Sequence, residues 1–70
     1  MLSEKKILAM YRDAVERYGA TETRFGSITA SSYAGELYLL AEILGFSEKK
    51  VEKDIAKVKS DAIAYINRMM

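Results

Sequence analysis

Apolar side chains recur every three to four residues in three separate segments of this chain, a spacing that commits it to helices, each burying one face. In the first segment Ile7, Leu8, Tyr11, Ala14, Val15 and Tyr18 fall on one side. Ser3 stands where an N-cap belongs, and Glu4 puts a negative charge at the positive end of the helix dipole. Gly19 follows the last periodic residue, where left-handed caps favour glycine, so the spacing predicts a first helix over 3–18.

The second segment carries Tyr33, Ala34, Leu37, Leu40, Ala41 and Leu44 on its core face. Hydroxyl residues from Thr29 to Ser32 offer alternative N-caps, and Gly45 with Phe46 behind it forms a Schellman-type stop, which gives a helix over 30–44. The third opens with Ser47 as cap and Glu48 in the first turn. It then places Val51, Ile55, Val58, Ala62, Tyr65 and Met69 at alternating spacings of four and three, a helix over 47–69. The string Ser-Glu-Lys-Lys opens both the first and third helices, which is shared capping chemistry rather than an internal repeat.

Residues 20–32 are rich in Thr, Ser and Gly and break both the helical and the strand period, so they read as a loop that Phe25 and Ile28 pin to the core. The expected fold is all-α: one domain over 1–70, a compact three-helix bundle around a single core, with helix 2 in the middle. The chain has neither Cys nor His, so no disulfide and no zinc-type site can staple it. Helix packing, or a core shared with a partner in an obligate dimer, must supply the stability.

The same two absences remove the usual proton shuttle, thiolate nucleophile and soft metal ligand. The acids, among them Glu16, Glu36, Glu42, Glu52 and Asp61, mostly fall on polar faces where solvent keeps carboxylates ordinary. Gly19, Gly26, Gly35 and Gly45 stand alone, without the neighbours that a phosphate or calcium loop needs. The expectation is therefore a non-enzyme with no catalytic residues, no metal, no cofactor and no small-molecule substrate. A net charge of +1 announces no polyanion or lipid surface by bulk field. With no long apolar run, and no signal-type apolar stretch behind the opening residues, the expected location is cytoplasmic and away from membranes.

The most informative stretch runs from Leu40 to Ile55. Ala41 is the small residue that lets a second helix approach, Gly45 four positions later makes the turn, and Val51 six further on anchors the next helix. Leu40, Leu44 and Ile55 are apolar where such a corner needs them, and Ser47 caps the helix that follows. Over residues 37–56 the chain resembles the helix-turn-helix DNA-binding domain of bacterial transcription regulators. That resemblance implies a small DNA-binding regulator acting as a dimer, with the third helix in the major groove of double-stranded DNA and Ser47, Lys49, Lys50, Lys53 and Lys57 at the interface. Lys49, Lys53 and Lys57 follow one another at i, i+4, nearly opposite the Val51 and Ile55 stripe. The continuing helical pattern leaves no room for a winged hairpin, so the three-helical variety is the one implied. A Gly stop followed by a Ser cap also serves any tight helical corner, and a lysine row any solvated face.

A different surface points to a different function. At 100° per residue Leu39 and Ile43 lie away from the core face of helix 2, with Tyr38 near them, so this helix is apolar on two sides. The alternative expectation is a small helical protein-binding module, inhibitor or adaptor that uses Tyr38, Leu39 and Ile43 against a partner protein or a second copy in a homodimer.

Overall fold

The computed structural model describes residues 3–69; residues 1, 2 and 70 of the expected domain lie outside them. Three helices follow one another, α1 (Glu4–Phe25), α2 (Ser27–Leu44) and α3 (Glu48–Met69), with no strand among the described residues. The all-α three-helix bundle expected from the periodicity is the fold observed.

Local chemistry sets most of the helix ends. Ser3 has extended backbone angles and its Oγ accepts a hydrogen bond from the Lys6 amide at 3.2 Å. Ser47 does the same for the Lys50 amide at 3.2 Å. Gly45 adopts the left-handed conformation at φ 75° and ψ 23°, and α2 ends on the paired bonds of a Schellman stop, Phe46 N–H to Ala41 O at 2.9 Å and Gly45 N–H to Glu42 O at 3.1 Å.

The first connection departs from expectation. No Thr/Ser/Gly-rich loop fills residues 20–32: α1 continues to Phe25, α2 begins at Ser27, and Gly26 alone, at φ 91° and ψ 170°, joins them. The hydroxyls explain why. Thr23 donates to the Gly19 carbonyl at 2.8 Å, Ser31 to Ile28 at 2.6 Å and Ser32 to Thr29 at 3.0 Å, so each is satisfied within a helix instead of breaking one. The N-cap of α2 is accordingly Gly26, with no side-chain cap, and not a residue from Thr29 to Ser32. Phe25 and Ile28 pin nothing to the core, being 70% and 90% exposed.

Gly19 is likewise not a stop. It is buried in mid-helix, and among the described residues only Gly26 and Gly45 have positive φ. A Cβ there would lie 2.6 Å from Val58 Cγ1, so the missing side chain is what lets α3 approach α1.

The core joins Tyr11, Ala14 and Val15 of α1 to Leu37, Leu40 and Ala41 of α2 and Val51 of α3, with Ile55 and Val58 packed against it. The central element is α1, not helix 2: α1 packs against both neighbours, while α2 and α3 touch only marginally. Having two apolar faces made helix 2 look central, yet one of those faces is uncovered. Tyr65 and Met69, expected in the core, are 56% and 72% exposed. Glu22 of α1 already meets Lys59, so the last turns of α3 run past the end of α1.

Candidate interaction surfaces

The corner between α2 and α3 has the local shape expected of it, with Ala41 and Val51 buried on either side of Gly45. Of the residues assigned to DNA, Lys49 and Lys53 are exposed and make no ion pair among the described residues; each is two positions from Val51, on the other side of the helix. Lys57 is exposed but turns toward a groove between α3 and α1. Lys50 is committed elsewhere: its Nζ lies 3.0 Å from Asp54 Oδ2 and 4.7 Å from the centre of the Phe46 ring. Ser47 holds the end of α3 by its cap. The structure thus brings the four lysines onto α3 with Ser47 as its cap, and Glu48 and Glu52 are exposed among them.

Beneath Lys50 a small polar cluster fixes α3 to α1. Tyr11, 2% exposed, donates its hydroxyl hydrogen to Asp54 Oδ2 at 2.7 Å, and its ring meets Phe46 edge to face at 5.0 Å. Burial, reinforced by that bond to a carboxylate, pushes the Tyr11 phenol well above its ordinary range. Burial works against a charged Asp54, but the bonds from Tyr11 and Lys50 outweigh it and hold the carboxyl below its ordinary value. Further along, Lys59 Nζ meets Glu22 Oε1 at 2.7 Å, and this bond lowers the Glu22 pKa against the smaller effect of burial.

The outer face of α2 is apolar and open. Leu39 and Ile43 are each 58% exposed and Tyr38 is 40% exposed, the three residues that the sequence singles out. Ile28 extends the same face, since positions 28, 32, 35, 39 and 43 stand three and four apart along one side of the helix. Ser32 and Gly35 lie between the large side chains, and a Cβ on Gly35 would meet nothing within 4 Å. No Lys or Arg occurs anywhere in α2, whose charges are Glu36 and Glu42.

A second surface, which sequence reasoning missed, is a groove of about 740 Å³ between α1 and α3. Leu8, Val15, Val58 and Ile66 form its apolar floor. Arg12, Arg24 and Lys57 stand along it with Glu16 and Asp61, besides the Lys50–Asp54 pair. The only sequence signal for it was Gly19: where two helices touch at a glycine, they part on either side of the contact. Among the described residues no group of acids could hold a metal ion, and no helix is long and apolar enough to cross a membrane.

Neither a protein-family model nor a curated protein nor a solved structure matches the chain.

Proposed function

We propose that this protein is a helical protein-binding module whose partner surface is the outer face of α2, centred on Tyr38, Leu39 and Ile43. One observation carries the reading: a helix already burying Leu37, Leu40 and Ala41 keeps Leu39 and Ile43 58% exposed on its opposite side, in an apolar stripe flanked by the exposed Glu36 and Glu42. Covering two such residues is worth up to about 1.5–3 kcal/mol each, a large share of what a small domain has in total. The test is a photo-reactive residue at position 39, with one at position 49 as control. A discrete protein adduct from 39 alone supports the reading. No adduct from either position, with duplex binding instead, overturns it.

A second reading, a dimeric DNA-binding regulator, draws support from the left-handed Gly45 corner and from the outward Lys49 and Lys53. Against it, Lys50 is paired, and Glu48 and Glu52 lie beside the free lysines. Duplex binding at two salt concentrations tests it. Lys49→Ala with Lys53→Ala should make the salt slope shallower by roughly two contacts.

A further inference from the structure

We propose that the partner for the outer face of α2 is a second copy of this chain, which receives that face in its α1–α3 groove. The proposal rests on the partner-binding reading of α2 and adds both the occupant and its receptor.

Three features of the two surfaces agree. The first is character: Ile28, Leu39 and Ile43 offer large apolar side chains, and the groove has an apolar floor for them. The second is charge. The stripe is bordered by Glu36 and Glu42 on a helix without a single cation. In the groove, Lys50 and Asp54 satisfy each other, which leaves Arg12, Arg24 and Lys57 against Glu16 and Asp61, a surplus of one positive charge. Arg24 has no acid three or four residues away in its own helix and makes no ion pair among the described residues, so it can meet a carboxylate from outside. The third is length. From Ile28 to Ile43 the stripe spans about 22 Å, and from Leu8 to Arg24 the α1 wall of the groove spans about 24 Å. Ser32 and Gly35 keep the middle of the stripe low, so the backbone of α2 can lie close to the floor.

Such a contact is heterologous, because a stripe meets a groove and not another stripe. Each pair leaves one stripe and one groove unused unless the two molecules close on each other. The experiment follows from that asymmetry. A stripe variant, Leu39→Glu with Ile43→Glu, and a groove variant, Arg24→Glu with Lys57→Glu, are made separately and each checked for helicity. Gly35→Lys provides a second stripe variant at an open, mid-helix position where the new residue favours the helix.

Sedimentation velocity of the unaltered chain should give a mass of a dimer or more at high concentration. The stripe and groove variants should each sediment as monomers. An equimolar mixture of the two should form one-to-one pairs and stop there, since only the stripe of the groove variant and the groove of the stripe variant remain intact. An unaltered chain that stays monomeric overturns the proposal. So does a groove variant that still self-associates, although loss of association in the stripe variant would then leave the α2 surface standing with a different receptor. Association that survives in the stripe variants overturns the pairing, while the adduct at position 39 decides the α2 reading by itself.

Discussion

The Cβ that Gly19 lacks would sit 2.6 Å from Cγ1 and 3.0 Å from Cβ of Val58, so α1 and α3 meet at a point with no room for one more carbon. Valine is branched at Cβ and stiff at χ1, so it cannot swing a flexible end aside, and the helices themselves must separate. Their separation would loosen Ile55 and Val58 against the core.

Gly19→Ala therefore sets two effects against each other. Alanine favours a helix interior by about 1 kcal/mol, while overpacking of this kind costs about 1–3 kcal/mol. The overlap should win, leaving a net loss on the order of 1 kcal/mol in denaturant unfolding. Adding Val58→Ala should make the alanine at position 19 less costly than it is alone. Purely additive losses would mean that the two residues do not limit each other.

Gly45 and Gly35 should respond in opposite directions to the same change. Gly45 sits at φ 75°, where a side chain costs about 1 kcal/mol or more, and more for a β-branched residue such as valine. Gly35 lies inside α2 facing open space, so alanine there should stabilise the fold by roughly 0.5–1 kcal/mol. Melting temperatures of Gly45→Val and Gly35→Ala check both signs together.

These glycines also mark what a sequence of this kind makes legible. Ser3, Gly45 and Ser47 act within a few residues of themselves, so caps and stops are readable from order alone. Gly19 and Gly26 look alike in sequence, but one fills a contact with a residue far along the chain and the other ends a helix. The nearness of Val58 and the positive φ of Gly26, both set by the folded chain, distinguish them. The hydroxyls between residues 20 and 32 suit a loop or a helix equally, because back-bonding to the preceding turn becomes available once the helix exists. The exposed face of α2 was legible from its angular spacing. The α1–α3 groove was not, since it depends on which helix stands in the middle.

The Tyr11–Asp54 bond should give the protein a dependence on pH at both ends. Asp54 has a lowered pKa in the folded chain, so it contributes stability above its ordinary value of 3.8, and that contribution is lost as pH falls through the folded value below it. Tyr11 has a raised pKa, so its contribution is complete below the ordinary 10.0 and is lost as pH climbs above that toward the folded value. Tyr11→Phe should cost about 1–2 kcal/mol at neutral pH and flatten the alkaline fall. Asp54→Asn should flatten the acid one. Urea unfolding across the pH range checks both, and an unchanged acid limb in Asp54→Asn would place the acid sensitivity elsewhere, with Glu22 and its Lys59 partner next in line.

Ile28 and Leu37 lie on the same helix and are similar in size, yet one is 90% exposed and the other fully buried. Were residues 20–32 a loop held to the core by Phe25 and Ile28, removing either side chain would open a cavity. With α1 and α2 meeting at Gly26 alone, Ile28→Ser and Phe25→Ser remove only exposed surface and should shift stability by no more than about 0.5 kcal/mol. Leu37→Ala, by contrast, takes apolar atoms from the core cluster that includes Tyr11, Val15 and Ala41 and should cost about 2–5 kcal/mol. Unfolding is measured at a low concentration, where any association through the outer face of α2 is absent and the comparison reports the single chain. A loss for Ile28→Ser approaching that of Leu37→Ala would mean that position 28 is buried in solution and that the α1–α2 joint is built differently.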